Sequence, residues 1–208
     1  MPMIRETIVT TLSGEGRVHI APLGLIAEPL GAEGLGPEHL GAEGDQWIIA
    51  PFRPSTTLDN LQANPFAVAN FTDDVLVFAG CLTGKRDWPT RPATRIPGAV
   101  LEGTLAHAEL EVVQVEEDEQ RPRFHCRIVH AQNHGPFKGF NRAQAAVIEA
   151  AILASRLHML PRDKIEQELG YLQIAVEKTG GPREHAAWRL LVEKIEDHFK
   201  QAPSNPRC

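Results

Sequence analysis

The stretch ETIVTTLSGEGRVHIAPLG, residues 6–24, decides the fold. Its first part is rich in β-branched side chains, which favour strands, and Ser13-Gly-Glu-Gly16 supplies the small, permissive residues of a tight turn. After the turn, residues 17–24 alternate polar with apolar side chains, as a strand with one buried face does. The stretch therefore predicts a β-hairpin near the start of the chain.

Further β-prone runs follow, bounded by glycine, proline or acidic residues, and they predict strands at residues 46–50, 66–72, 75–79, 100–115 and 124–131. Roughly seven strands in the first 135 residues is the spacing of a small barrel or sandwich. A short helix is predicted at residues 55–62. Residues 30–44, in which LGAEG occurs twice, predict a surface loop, and residues 80–97 an irregular segment.

The pattern changes to the helical period after Asn141, where only five of the 33 glycines and prolines occur before Ala202. Asn141 is a predicted N-cap for a helix over residues 142–160, with Ala145 and Ile148 among its apolar positions. A second helix starts at Asp163 and ends at Gly180-Gly181, and a third starts at Pro182. We expect an α+β protein with a β domain over residues 1–140, a helical extension over residues 141–201 packed on the barrel or on a dimer interface, and a flexible tail over residues 202–208.

Composition excludes several classes of protein. The 208 residues carry a formal charge of −6, which argues against nucleic-acid binding. No apolar run is long enough to span a membrane, and the N-terminal residues lack the apolar core of a signal peptide, so a cytoplasmic protein is expected. The three cysteines are scattered, as reduced thiols are.

The segment PFRPSTTLDNL, residues 51–61, is the strongest candidate for a binding site. It places a cation, hydroxyl groups and a carboxamide at a strand-to-helix junction, where unsatisfied backbone N–H groups favour a bound phosphate. Thr57 and Asn60 lie three apart and would share a helix face. The alternative is that Ser55 and Thr56 only cap the helix while Arg53 is a solvated surface charge.

Other motifs give no competing site. The segment GCLTGKR, residues 80–86, has too few residues between its glycines for a phosphate-binding loop, and Arg86 replaces the metal-binding hydroxyl. A metal site at His125, Cys126, His130 and His134 is disfavoured, because neighbouring strand residues point to opposite faces. We therefore expect no metal. His19 either faces a pocket or is a strand histidine satisfied by backbone or water.

Together these segments resemble the flavin-reductase-like family of FMN-binding split-barrel proteins, in its uncharacterised branch with a C-terminal helical extension. The resemblance spans about residues 4–199, and its motifs are RETIVTT (residues 5–11), HIAPLG (residues 19–24), RPSTTLDN (residues 53–60) and FNRAQAAVIEAAILASR (residues 140–156). It implies an antiparallel split β-barrel that forms a homodimer with FMN in a groove between the subunits.

The resemblance also implies a set of FMN ligands. Phosphate and ribityl contacts are expected from Arg53, Ser55, Thr56, Thr57 and Asn60. The strand at Ala21, Pro22 and Leu23 would pass the isoalloxazine ring, and the strand at Asn70, Phe71 and Thr72 would bond its polar edge. Asp87 and Trp88 would come from the partner subunit.

Catalysis would then depend mainly on the cofactor, which carries hydride or electrons while the protein binds and orients it. His19 is the candidate proton donor. Three hypotheses follow: an FMN-dependent oxidoreductase, an FMN carrier or electron-transfer protein without a turnover substrate, and a flavin-free partner-binding module. By analogy with archaeal and methylotroph relatives, a pterin or one-carbon reductant is a candidate substrate; fold analogy alone does not decide this.

Overall fold

The computed structural model describes residues 3–28 and 46–201. The predicted loop at residues 30–44 and the predicted tail at residues 202–208 lie outside this range. The described residues fall into two compact units: a barrel unit, within Met1–Thr72 and Arg86–Phe137, and a helical unit, within Asp73–Lys85 and Lys138–Cys208.

Six antiparallel strands close the barrel, in the order β1-β2-β3-β8-β7-β4 with β4 returning to β1. This confirms the α+β class with an antiparallel barrel. The strands are β1 (Met3–Leu12), β2 (Val18–Glu28), β3 (Gln46–Ile49), β4 (Phe66–Phe71), β7 (Ala106–Glu116) and β8 (Arg123–Asn133).

The predicted hairpin is present as the β1–β2 pair, which runs in register from Met3 opposite Ala27 to Leu12 opposite Val18. In its turn the amide of Gly16 donates to the carbonyl of Ser13. Gly16 has φ +79°, a conformation that side chains with a Cβ rarely adopt, which explains the glycine there.

Alternate residues of the strands fill the barrel. Val9, Leu25, Ile49, Leu110 and Phe124 are among the apolar side chains buried in this core. Helix α1 (Thr56–Ala63) lies in the same unit and contributes Leu58 and Leu61 to the core. Side chains alternate between the two faces of a strand, so the alternation of apolar and polar residues determines which face of each strand points into the barrel.

A short hairpin of β5 (Thr90–Pro92) and β6 (Ala99–Leu101) belongs to the barrel unit but not to the barrel ladder. The amide of Leu101 donates to Asn70 Oδ1, and Thr10 Oγ1 donates to the carbonyl of Ala99. A second small core, with Val68, Ile96 and Val100 buried, accompanies this hairpin.

The predicted strand at residues 75–79 is wrong, because this segment begins helix α2 (Val75–Thr83). An apolar run of this length does not distinguish a strand from a buried helix. The helix is set by its ends: Asp74 accepts from the amide of Leu76, and Gly84 closes it at φ +103°. The irregular segment predicted at residues 80–97 is also partly wrong, since it contains the end of α2 and strand β5.

The helical unit combines α2 with α3 (Arg142–Ser155), α4 (Arg162–Thr179) and α5 (Pro182–Gln201). The predicted N-cap is confirmed, because Asn141 Oδ1 accepts from the amides of Ala143 and Gln144. The apolar face of α3 differs from the prediction: Ala145 is exposed, whereas Ala143, Ala146 and Val147 are buried. Small side chains let α3 pack closely within the unit's own core.

No described helix has the length and apolar character of a membrane-spanning segment.

Candidate functional site

The N-terminus of α1 is accessible in the barrel unit. Ser55 is its N-cap, with its hydroxyl accepting from the Leu58 amide at 3.4 Å. Thr56, the first helical residue, is exposed. The opening amides of any helix have no carbonyl one turn earlier to bind, so this end presents N–H donors and the positive end of the helix dipole.

Arg53 lies two residues before the cap, and its side chain is 35% exposed. One guanidinium nitrogen is 2.8 Å from Glu117 Oε2, and Nε donates to the carbonyl of Asp118 at 3.3 Å. Both acceptors belong to the turn between β7 and β8. Arg53 is therefore a partly exposed cation in a surface ion pair, the kind of contact that contributes little to stability.

Thr57 and Asn60 share a helix face, as their spacing predicts, and that face is buried, with both residues 4% exposed. Asn60 Nδ2 donates to Thr11 Oγ1 at 2.9 Å. In this structure Asn60 therefore attaches α1 to β1, and the ligand roles that the resemblance implies for these two residues stay predictions.

In the part of the chain that the structure describes, the middle of β2 forms an open edge. Ala21, Pro22 and Leu23 are half-buried and pair with β1 on one side. On the other side β3 pairs only with Ile26–Glu28, so no described strand continues along residues 18–25. Pro22 suits such an edge because it lacks the N–H that a neighbouring strand would need.

Asn70 on β4 is fully buried, and its side chain is already bonded within the barrel unit. Nδ2 donates to the carbonyl of Ile8 at 3.0 Å, while Oδ1 accepts from Leu101 at 2.8 Å. Phe71 and Thr72 are half-buried. A flavin contact from Asn70 would need these bonds to rearrange, and Thr72 directly follows β4. The roles of Asn70, Phe71 and Thr72 stay predictions.

His19 is half-buried on β2, with Nδ1 3.5 Å from the Arg86 guanidinium. Burial, and secondly the Arg86 charge, lower the pKa of His19 below 6.5. The lowered pKa disfavours the cationic, proton-donating form of His19. Asp87 is exposed and Trp88 half-buried in the segment that follows Arg86.

A cluster that the sequence interpretation missed lies on β7 and β8. His107 and Glu109 are buried next to His130, and the potential ligand atoms of these three residues all lie within 4.8 Å of one another. Burial raises the pKa of Glu109, but amide hydrogen bonds from Thr94 and Arg95 outweigh it and hold that pKa below its usual value. The His-x-Glu spacing on one strand face was the available clue.

In the helical unit, α4 and α5 enclose a groove of about 650 Å³. Its rim carries the ion pair between Arg162 and Glu166, and the Arg162 guanidinium lies 4.9 Å from the centre of the Phe199 ring. The charges of this groove are thus already paired with their neighbours along the helix.

The barrel unit has the architecture of the FMN-binding split barrels, and solved structures share it. An FMN-bound protein from Methanosarcina mazei matches with a TM-score of 0.73 and 19% identity over 93% of this chain and 96% of that one. The 2-nitrobenzoate 2-nitroreductase NbaA of Pseudomonas fluorescens matches with a TM-score of 0.50 and 19% identity over 64% and 66%. An FMN-binding protein from Thermus thermophilus, solved with bound p-hydroxybenzaldehyde, matches with a TM-score of 0.50 and 20% identity over 67% and 77%. At such identities the likeness establishes the fold.

Family models then identify the chain itself. The N-terminal domain of the protein of unknown function family DUF447 matches residues 5–135, and the second DUF447 model matches residues 141–193. The chain belongs to this family. No curated protein matches it.

Proposed function

We propose that this protein binds FMN, with the phosphate at the N-terminus of α1, and acts as a flavin-dependent oxidoreductase. The observation that carries the proposal is the accessible first turn of α1 with Arg53 beside it. The FMN-bound and FMN-binding proteins that share the fold support the choice of ligand.

The residues at this helix end fit a phosphate. The opening amides of α1 and the Thr56 hydroxyl are donors, and an anion is stabilised by the helix dipole. Arg53 adds a guanidinium that binds phosphate through two parallel hydrogen bonds. Its present partner Glu117 is 72% exposed, so exchanging that ion pair for a phosphate costs at most about 1 kcal/mol.

The open edge of β2 fits the flavin ring. Unpaired strand edges offer backbone N–H and C=O groups, and the half-buried Ala21, Pro22 and Leu23 offer an apolar surface for a flat ring. The bound group would supply hydride or electron transfer. The chain's own part is to hold the phosphate, orient the ring and limit its contact with water.

Purified, untagged protein tests the proposal. We expect flavin absorbance and an FMN mass in the protein as isolated or after adding FMN. Protein that neither contains nor retains FMN would instead support the flavin-free binding module.

A second experiment separates an enzyme from an electron carrier. The FMN-loaded protein is reduced anaerobically with NADH, NADPH or a deazaflavin donor. Rapid bleaching by a nicotinamide supports the oxidoreductase, whereas bleaching only by the deazaflavin supports an FMN carrier. A reduced pterin tests the one-carbon link, which stays a prediction.

The proposal includes a cytoplasmic homodimer with FMN at its interface. Met3 and Ile4 on β1 are apolar and 41% and 53% exposed, which suits burial by a second copy. Cys126 is a buried thiol, in keeping with a reducing compartment. Sedimentation should give twice the chain mass, and a monomer that retains FMN would exclude the shared site.

A further inference from the structure

We propose that His107, Glu109 and His130 bind one divalent transition-metal ion of the zinc class on the outer face of the barrel. Its three ligands are not among the residues proposed to bind FMN, and its tests do not depend on flavin binding. Two imidazoles and one carboxylate form a common zinc ligand set that leaves a fourth position for water.

Strand geometry brings the three side chains together. His107 and Glu109 are two residues apart on β7, so they point to the same face, and His130 of β8 lies directly opposite Glu109. The intervening Ala108 and Leu110 point into the barrel core, which places the three ligands on the outside. The register shifts directly after the Glu109–His130 pair, and such bulges often re-aim side chains beside functional sites.

Hydrogen bonding shows which nitrogen of His107 is available. His107 Nδ1 is 2.8 Å from His134 Nε2, so these two nitrogens share one hydrogen bond. The Arg91 guanidinium is 2.9 Å from His134 Nε2 and 3.5 Å from Nδ1 of the same ring, so it lies over that ring. The two rings lie 4° from parallel with centroids 5.0 Å apart; since 2.8 Å is less than an aromatic ring's thickness, they lie side by side in nearly one plane.

His107 Nε2 is then the nitrogen that faces Glu109. Its distance to Oε1 is 3.4 Å, which is longer than the roughly 2.7–2.9 Å of a charge-assisted hydrogen bond. Both side chains are 0% exposed. In a tetrahedral site with metal–ligand bonds of about 2.1 Å, the ligand atoms lie about 3.4 Å apart. The observed spacing therefore suits two ligands of one metal ion better than a direct histidine–carboxylate ion pair.

Glu109 is held in place for one further partner. Its Oε2 accepts from the amides of Arg95 and Ile96, and Oε1 accepts from the amide of Thr94. A carboxylate has about four acceptor positions, so one remains on Oε1, the oxygen that faces His107.

The surroundings of the cluster match those of known metal sites. A metal-binding histidine usually donates its second ring nitrogen to a neighbour, and the metal-binding carboxylate is itself hydrogen-bonded. With a metal ion on Nε2, His107 would donate from Nδ1 to His134, and three backbone amides hold Glu109. His130 is half-buried on the neighbouring strand, and its ligand atom lies within 4.8 Å of those of His107 and Glu109.

The experiment measures metal in untagged protein, purified without chelators, by inductively coupled plasma mass spectrometry. We expect about one zinc-class ion per chain, or its uptake after incubation with zinc and gel filtration. Replacing zinc with cobalt should give the visible absorption bands of a tetrahedral site.

Variants locate the ion. His130→Gln should reduce metal affinity at least tenfold, and Glu109→Gln should do the same if it folds. His125→Gln, on the same strand but beside Glu116, is the matched control and should retain the ion. His134→Gln leaves the three ligands intact, and we expect it to weaken binding by about 10–100-fold, the usual effect of losing a ligand's hydrogen-bond partner.

Failure of wild-type protein to take up zinc or cobalt overturns the proposal, as does equal metal loss from His125→Gln and His130→Gln. Because His130 is half-buried, its variant should keep the wild-type far-UV circular dichroism, which makes its metal content interpretable even if Glu109→Gln does not fold.

Discussion

The barrel unit and the helical unit bury different kinds of side chain. In the described part of the chain, nine of the buried residues are polar or charged, and all nine lie in the barrel unit. The helical unit buries alanine, valine, leucine, isoleucine and tryptophan in its core. The nine are Thr7, Thr10, Thr11, Thr57, Asn60, Asn70, Thr104, His107 and Glu109.

The two units therefore depend on different kinds of interaction in their interiors. Burying a polar group without hydrogen-bond partners is costly, and in the barrel unit neighbouring strands and the β5–β6 hairpin supply such partners. Asn70, for example, joins β4 to β1 and to β6 through its single carboxamide. Helices satisfy most of their own backbone groups, so the core of the helical unit consists of close apolar contacts, and its polar capping contacts at Asp74 and Asn141 lie at helix ends. We therefore expect the two units to respond differently to similar substitutions.

The largest effect is expected from Asn70→Leu, a change that nearly preserves volume. It leaves the Leu101 amide and the Ile8 carbonyl without their side-chain partner, at about 1–3 kcal/mol each, so the free energy of unfolding should fall by about 2–6 kcal/mol. Urea unfolding followed by tryptophan fluorescence measures this. In a Trp188→Phe background, the fluorescence signal comes only from Trp47 and Trp88, which both lie in the barrel unit.

The matched change in the helical unit is Ile195→Leu, which should cost less than about 1.5 kcal/mol because only packing changes. Urea unfolding followed by circular dichroism checks it. Equal losses for Asn70→Leu and Ile195→Leu would remove the distinction between the two units.

A polar contact at a helix end should have an intermediate effect. Asp74 caps α2 and forms an ion pair with Arg183 of α5. Asp74→Ala should lower the free energy of unfolding by about 1–2 kcal/mol, mostly through the lost cap. Asp73→Ala is the neighbouring control, measured by the same circular dichroism experiment, and a loss equal to that of Asp74→Ala would show that the cap is not responsible.

Removing the ion-pair partner of Arg53 should have a smaller effect, which is measured as a change in FMN affinity. Glu117→Gln removes the carboxylate that pairs with Arg53, so FMN should bind up to about fivefold more tightly, corresponding to no more than about 1 kcal/mol. Titration by flavin fluorescence measures this. Glu15→Gln, which instead alters the pair with Arg17, should leave FMN affinity unchanged. Weaker FMN binding by Glu117→Gln would mean that this carboxylate supports the site.

The smallest effect concerns His19. Its pKa is lowered in the folded protein, so its contribution to stability is present above pH 6.5 and is lost as the pH falls through the lowered value. Arg86→Gln removes the second cause and should raise the pKa of His19 toward its ordinary value. An NMR titration of the His19 ring protons tests this, and a lower pKa in the variant would contradict it.

Local patterns predicted most of the fold. The β1–β2 hairpin follows from β-branched residues, a glycine turn and period-2 alternation, all within residues 6–24. The Asn141 cap and the end of α4 at Gly180 follow from similarly local rules. Helix α2 was not predicted because its apolar run shows no helical periodicity in the sequence. Asp74, which caps the helix, is also a residue type typical of turns between strands.

The candidate sites were only partly predictable, because they depend on contacts between distant residues. The α1 N-terminus is visible in the segment around Ser55, but the burial of Asn60 against Thr11 depends on a contact 49 residues away. Likewise, His130 was considered as a ligand with its sequence neighbours, whereas the structure places it opposite Glu109 through the β7–β8 register.

The most direct test of the account compares the binding of FMN with that of riboflavin, which lacks the phosphate, to wild-type protein and to Arg53→Ala. Because the account places the phosphate against α1 and Arg53, wild-type protein should prefer FMN by at least about 100-fold, from two or more charge-assisted hydrogen bonds of roughly 1.5–3 kcal/mol each. Arg53→Ala should lose most of that preference. Equal affinities of wild-type protein for FMN and riboflavin, or an undiminished preference in Arg53→Ala, would contradict the account.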